Sequence, residues 1–191
     1  MPVKRPLTAG EVKLAQEVFG NSIDYTTVKI HDRPFAPFHQ RNVAMTPNGQ
    51  MYMNGCYSDD YSRTDSQGRS LFIHEMTHVW QYQNKIFNVL GTGIELTLKH
   101  KFNYNAAYAF QLEAGKDLVD YGMEQQAAIV QEYFLVKHEG LGTYVRHCQN
   151  TGTTAEKIAL YEKVLEKFLK DPLYAKNDKT PPLFKYTPPQ P

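Results

Sequence analysis

One stretch of the chain carries residues whose types and spacing suit metal-dependent hydrolysis. It reads His74-Glu75-Met76-Thr77-His78, which is the pattern H-E-x-x-H. On a helix, side chains at positions i and i+4 project from one face, so two imidazoles at this spacing can bind one ion. A carboxylate directly after the first histidine can accept a proton from water that zinc has made acidic. The sequence therefore predicts zinc ligands at His74 and His78 and a general base at Glu75.

A catalytic zinc site also needs a third protein ligand. A third histidine shortly after the motif is ruled out, because Gln81 and Asn84 occupy the positions that a metzincin site requires. The absence of a histidine at that spacing favours a carboxylate further along the chain as the third ligand. Glu124 is the first candidate, Glu132 the second and Glu113 the third, and the residue pattern alone leaves all three open.

Glu124 ranks first because of the residues that follow it. Ala127 and Ala128 lie three and four positions later, on the same face of a predicted helix. Small side chains there would let this helix approach the helix of the metal motif closely. The sequence therefore predicts a zinc site made of two histidines and one glutamate.

The elements that must position these residues are mostly helices. Helical periodicity predicts a buried helix over 69–85, which holds the motif, and a second helix over 123–137, which holds Glu124. Capping boxes at Thr8/Glu11 and Thr153/Glu156 predict helices over 8–19 and from 153 to about 170. We expect an α+β fold that is mostly helical.

A short β-hairpin is expected before the metal motif. Residues 42–45 and 50–53 flank Thr46-Pro47-Asn48-Gly49, and a proline followed by Asn-Gly between two such runs favours a tight turn. Residues 27–31 predict a further strand, and the second hairpin strand could line a substrate cleft. Five tyrosines could stabilise an oxyanion, although each is more often a packing residue: Tyr52, Tyr57, Tyr82, Tyr104 and Tyr121.

Composition and charge limit the class of protein. The chain has 191 residues, a net charge of +1 and 41% hydrophobic residues, which suits one globular domain over residues 1–191 without a basic surface for nucleic acid. A proline-rich extended tail is expected over about 171–191. Cys56 and Cys148 are expected as free thiols, with a disulfide as the alternative. His31 and His39 are expected as structural or surface residues.

The N-terminal residues and the length of the apolar runs give an expectation for localisation. The first residues lack the apolar core of a secretory signal. No apolar run approaches the roughly 20 residues that a membrane helix needs. We therefore expect a chain made in the cytoplasm without a signal peptide and without a membrane span.

Four segments together resemble a known family. They read LTAGEVKLAQEVFGNSIDYTTVKIH, NVAMTPNGQMYM, LFIHEMTHVWQYQ and YGMEQQAAIVQEYF. They are similar to the metallopeptidase domain found at the C-terminus of some VgrG spike proteins of bacterial type VI secretion, and to related stand-alone effectors. The resemblance implies a zincin-like fold, zinc held by His74, His78 and Glu124, and Glu75 as catalytic base.

The resemblance also implies a biological role. The expected function is that of an antibacterial effector that hydrolyses an amide bond in the periplasm of a target cell. The expected partners are a peptide or peptidoglycan-like substrate, components of the secretion spike and a cognate immunity protein. Two alternatives remain open: a housekeeping or host-directed zinc peptidase, and a binding module in which zinc only stabilises the fold.

Overall fold

The computed structural model describes residues 3–37, 39–87, 107–140 and 145–177. In these residues the chain forms a small sheet and a set of α-helices, which confirms the expected α+β class. The strands are β1 (Lys4–Pro6), β2 (Lys29–His31), β3 (Val43–Met45) and β4 (Met51–Asn54). The helices are α1 (Ala9–Phe19), α2 (Ser66–Gln83), α3 (Met123–His138), α4 (Thr154–Val164) and α5 (Glu166–Lys170).

Helix α1 begins where the capping box predicted it. The hydroxyl of Thr8 accepts a hydrogen bond from the backbone N–H of Glu11, and the Glu11 carboxylate accepts one from the N–H of Thr8. Glu11 is fully buried and also receives two hydrogen bonds from Arg5, both at 2.8 Å. A further bond to Glu11, from the backbone N–H of Tyr61, ties the start of the helix to the middle of the chain.

The sheet contains the predicted hairpin and extends beyond it. Strands β3 and β4 pair antiparallel, with Ala44 opposite Met53. Gly49 in the connecting turn has φ +72° and lies so close to the ring of Tyr82 that a side chain would clash. Strand β2 pairs with β4 in parallel and with β1 antiparallel, so the sheet order is β1-β2-β4-β3. The sequence did not predict β1, because three residues are too few to show strand alternation.

Helices α2 and α3 pack side by side in opposite directions. Helix α2 begins three residues earlier than predicted, because Asp65 caps it by accepting a hydrogen bond from the N–H of Gly68. Arg69 in its second turn makes two hydrogen bonds of 2.6 Å to Glu139, just beyond the end of α3. This pair holds the first turns of α2 against the last turn of α3.

The C-terminal helices pack on the core that contains α2, where Phe168 of α5 contacts Trp80 edge to face. The predicted helix from Thr153 divides into α4 and α5 at Leu165, which is fully buried. Residues 171–177, placed by the sequence at the start of an extended tail, pack against the core instead. The indole of Trp80 donates to the carbonyl of Pro172 at 2.9 Å, and Ala175 is buried. The rest of that tail lies outside the described residues.

Two further features concern localisation and redox chemistry. None of the helices in the described ranges combines the length and the apolar character that a membrane crossing requires. Cys56 and Cys148 are free thiols, as expected from the sequence, and burial raises the pKa of the Cys56 thiol to about 11.

Candidate metal centre

Helix α2 brings the two motif histidines together. His74 and His78 lie one turn apart, and each is 5% exposed. Their ring centroids are 5.0 Å apart with the ring planes nearly perpendicular. The i, i+4 spacing therefore directs both imidazoles toward the same point, as the sequence predicted.

Glu124 reaches the same point from the first turn of α3. Its Oε2 lies 3.4 Å from Nε2 of His74 and 3.2 Å from Nε2 of His78. The three potential ligand atoms all lie within 4.8 Å of one another. Ala127 and Ala128, which share the face of Glu124, are fully buried, so small side chains stand where the two helices approach. The structure thus assembles the three residues predicted as ligands.

The chemistry of this group fits a metal ion. The Oε2 atom of Glu124 is buried, yet it accepts no hydrogen bond from any protein group in the described residues. A buried carboxylate oxygen without a hydrogen bond is costly unless a cation compensates it. Two imidazole nitrogens and one carboxylate oxygen are ligands that zinc takes readily, and three protein ligands are typical of a zinc site with an open position.

Electrostatics in the metal-free protein show how strongly these groups interact. Burial lowers the pKa of His78, but the neighbouring carboxylate of Glu124 outweighs this effect and raises the pKa to about 9. Burial likewise raises the pKa of Glu124, but the charge on His78 holds that pKa well below its ordinary range. The carboxylate of Glu124 and the imidazole of His78 thus stabilise each other's charged forms.

Glu75 is oriented from the hairpin rather than from its own helix. It is 3% exposed, and its Oε2 accepts a hydrogen bond of 2.6 Å from the hydroxyl of Thr46, which directly follows β3. Glu75 is not part of the three-residue ligand group. A buried carboxylate beside the group, held by a separate element, is suited to accept a proton and not to bind the metal itself.

The structure separates Glu124 from the two other carboxylates considered as third ligands. Glu132 is 2% exposed, and its carboxylate is bound by other parts of the chain. It accepts hydrogen bonds from the backbone N–H groups of Arg146 and His147 at 2.7 and 2.6 Å, and from the hydroxyl of Tyr161 at 2.7 Å. Glu113 lies on the surface and pairs with Lys116. Neither belongs to the cluster that the described residues form, so the geometry favours Glu124.

The tyrosines considered as oxyanion donors occupy other places. Tyr52 stacks on His31, and Tyr82 is 46% exposed beside the hairpin turn. Tyr57 and Tyr121 make hydrogen bonds away from the cluster. Tyr104 lies outside the described residues. His31 and His39 are buried in the sheet region, and His39 joins Phe35 to Val43, as expected of structural residues.

An aromatic residue that the sequence did not single out lies beside the cluster. The ring of Tyr108 is 5.5 Å from the ring of His74 and 5.3 Å from that of His147. Burial lowers the pKa of His147. No motif marks these two residues, because the chain folds them into place from segments far from the metal helix.

Two glutamines next to the histidines also escaped prediction as site residues. Nδ1 of His78 lies 2.8 Å from Oε1 of Gln81, and Nδ1 of His74 lies 2.9 Å from Oε1 of Gln131. A signal existed for Gln81, because it falls on the same helical stripe as both histidines. Gln131 lies on α3, and only the packing of the two helices shows its role.

The chain is similar to one known protein in sequence and to one solved structure, and it matches no family model. Over 137 residues the chain is 44% identical to the type VI secretion system spike protein VgrG2b of Pseudomonas aeruginosa, a stretch that is 71% of this chain and 13% of the spike protein. The chain thus spans only a small part of that relative.

The structural match lies in the effector domain of the same spike protein. The solved structure described as the effector domain of Pseudomonas aeruginosa VgrG2b aligns with a TM-score of 0.66 and 41% sequence identity. The alignment covers 74% of this chain and 79% of that domain. At this identity and coverage, the chain belongs to the family of the VgrG2b effector domain.

Proposed function

We propose that the chain is a zinc-dependent metallopeptidase that acts as a type VI secretion effector in the periplasm of a target cell. The observation that carries this proposal is the convergence of His74, His78 and Glu124 beside the buried carboxylate of Glu75. Homology to the VgrG2b effector domain supports the effector role. The motif helix packed near a small sheet supports a zincin-like arrangement.

Each residue has a defined task in such a reaction. His74, His78 and Glu124 would hold zinc through two Nε2 atoms and one carboxylate oxygen. Zinc bound by such a set supplies a Lewis acid and makes water acidic enough to attack an amide near neutral pH. Glu75 accepts the proton of the attacking water and can return it to the leaving amine. Thr46 keeps the carboxylate of Glu75 in one orientation throughout.

Three ligands favour catalysis over a purely structural zinc. Structural zinc sites use four protein ligands and are closed. The cluster in the described part of the chain holds three ligand residues. An open position is what substrate or water needs, so the alternative of a non-enzymatic zinc module has less support. A housekeeping or host-directed peptidase would share the site and differ only in its target.

Metal content is the first test. Protein purified without chelator should contain one zinc per chain. His74→Ala, His78→Ala and Glu124→Ala should each lose it, whereas Glu113→Ala, which removes a surface carboxylate, should keep it. Elemental analysis that finds no metal, and no uptake on addition of zinc, would overturn the proposal.

Location and chemistry are tested together by expression in a test bacterium. The chain should be tolerated in the cytoplasm and should stop growth when it is fused to a secretory signal. Glu75→Gln fused to that signal should be harmless and should retain zinc, while Glu113→Gln should remain toxic. Equal toxicity in both compartments would favour a cytosolic target, and toxicity that survives Glu75→Gln would argue against an enzyme.

The substrate class is open to a direct assay. The pure protein is incubated with sacculi and, separately, with periplasmic extract, with Glu75→Gln as control. Release of muropeptides would identify peptidoglycan as substrate, and loss of specific protein bands would identify a periplasmic protein. A cognate immunity protein, the further expected partner, should block whichever cleavage is found.

A further inference from the structure

The side-chain amide of Gln81 has a single orientation that satisfies its neighbours. Its Nε2 lies 3.0 Å from the carbonyl oxygen of Met123 and 3.0 Å from Oε1 of Gln126. A backbone carbonyl can only accept, so Met123 requires an N–H at this position. The Oε1 atom of Gln81 therefore faces Nδ1 of His78, at 2.8 Å.

Gln126 fixes the same orientation from the other side. Gln126 is fully buried, and its Nε2 donates to the carbonyl of Tyr121 at 2.9 Å. Because that carbonyl also only accepts, the Oε1 of Gln126 is the atom that faces Gln81. Flipping either amide would place two donors or two acceptors against each other in a buried place, at a cost of about 1–3 kcal/mol for each unsatisfied group.

The protonation of His78 follows from this chain of hydrogen bonds. Since Oε1 of Gln81 is an acceptor, Nδ1 of His78 must carry a hydrogen. When the ring is neutral, as it must be to bind a metal, the lone pair resides on Nε2, the nitrogen that lies 3.2 Å from Glu124. The ring is set for metal binding by residues that themselves contact no metal.

His74 has a similar but looser arrangement. Its Nδ1 lies 2.9 Å from Oε1 of Gln131, whose Nε2 is directed at the hydroxyl of Ser70 at 3.4 Å. Ser70 donates its own hydrogen to the carbonyl of Gln67, so its oxygen is free to accept. Gln131 is only partly buried, in contrast to Gln81. The tautomer is the same, and the hydrogen bonds that fix it are weaker.

We infer that Gln81 and Gln131 are positioning residues that hold both histidines in the Nδ1–H tautomer, and that Gln126 holds Gln81. This inference rests on the proposed zinc site. The groups that orient the two imidazoles are then neutral amides. The negative charge among the ligands comes from Glu124. Gln81 contributes more than Gln131, because both hydrogens of its amide are donated to buried acceptors.

The direct test of this inference is to prepare the protein without metal and measure how tightly it binds zinc. The affinity is obtained by competition with a chromophoric chelator for the wild type, Gln81→Met and Gln131→Met. Loss of a group that orients a metal ligand typically weakens affinity about 10–100-fold. We expect a loss in this range for Gln81→Met and a smaller loss for Gln131→Met.

Gln125→Met is the matched control. Gln125 lies on α3 beside Gln126, is 5% exposed and makes two hydrogen bonds, to Ala109 and from Gly122. It contacts neither histidine in the described structure. Gln125→Met should lower thermal stability and leave zinc affinity unchanged. An equal loss of affinity in Gln125→Met and Gln81→Met would show a general effect of destabilisation and overturn the inference.

Two further measurements distinguish positioning from packing. Gln131→Glu keeps an acceptor for Nδ1 of His74 and should retain zinc affinity where Gln131→Met loses it. Imidazole ¹⁵N NMR of the zinc-loaded wild type should show protonated Nδ1 and metal-bound Nε2 in both rings. The Nδ1 proton of His78 should exchange with water faster in Gln81→Met than in the wild type.

Failure of the inference differs from failure of the proposed function. If Gln81→Met and Gln131→Met bind zinc as tightly as the wild type, the inference is overturned and the zinc site still stands. A wild type that binds no zinc overturns the proposed function, and the inference falls with it. Binding of zinc through Nδ1 in either ring would overturn the inference alone.

Discussion

Replacement of Glu132 by alanine should destabilise the fold without removing the metal. The carboxylate is buried and accepts hydrogen bonds from the N–H groups of Arg146 and His147 and from the hydroxyl of Tyr161. A fourth contact, from the N–H of Cys148, is longer at 3.3 Å. These bonds fix residues 146–148 and α4 against α3, while the metal cluster lies elsewhere on α3.

The magnitude follows from the groups that lose their acceptor. The hydroxyl of Tyr161 belongs to a fully buried residue and has no access to water, whereas the loop N–H groups can partly turn to solvent. With about 1–3 kcal/mol for each buried group left unsatisfied, we expect a loss of about 3–5 kcal/mol in the free energy of unfolding. In a chain of this size that lowers Tm by about 6–20 °C.

Thermal unfolding followed by circular dichroism in the presence of chelator measures this loss, and zinc content is measured separately in the cold. Glu132→Gln should cost less, because an amide oxygen still accepts from the loop. Glu124→Ala is the contrasting variant for metal content: it should lose zinc, and any change in the stability of the metal-free protein should come from the lost pair with His78. A Glu132→Ala protein as stable as wild type, or one that loses zinc while Glu124→Ala keeps it, would refute this reasoning.

Three other variants test the structure elsewhere. Thr46→Val should slow hydrolysis about tenfold at unchanged zinc content, because the hydrogen bond from Thr46 to Glu75 is lost. Thr46→Ser should restore the rate. Equal rates for the wild type, Thr46→Val and Thr46→Ser would contradict an orienting role. Hydrogen bonds from Arg69 lower the pKa of Glu139. The stabilisation that these bonds give is therefore present above the usual glutamate pKa and is lost as the pH falls through the lowered pKa of Glu139. In urea unfolding, the stability of Glu139→Gln should approach that of the wild type only in acid. Glu11→Ala should cost about 3–5 kcal/mol in urea unfolding, because it leaves the guanidinium of a buried ion pair without its carboxylate, and a cost below 1 kcal/mol would contradict that role.

The helices and the hairpin could be predicted because their signals are local. The capping boxes at Thr8 and Thr153 are confirmed, and so is the turn with Gly49. These signals depend on residues within four positions of one another, where chain geometry fixes the distance. The start of α2 was misplaced by three residues because the capping residue, Asp65, lies in a polar stretch that resembles a loop.

The sequence by itself determined the spacing of His74 and His78 and the place of Glu75 between them, since one turn of helix fixes their geometry. Local sequence could not show which of Glu124, Glu132 and Glu113 lies beside the histidines. Each is far from the motif along the chain, and any of them could have faced it. Only the packing of α3 against α2 shows which of them lies beside the imidazoles: Glu124 does, whereas Glu132 binds the backbone of residues 146–147 and the hydroxyl of Tyr161. The same packing placed Gln131 on His74, and the hairpin brought Thr46 to Glu75. A hydrogen bond between residues 29 or 57 positions apart leaves no periodicity in the sequence, because folding and not the local backbone sets that distance.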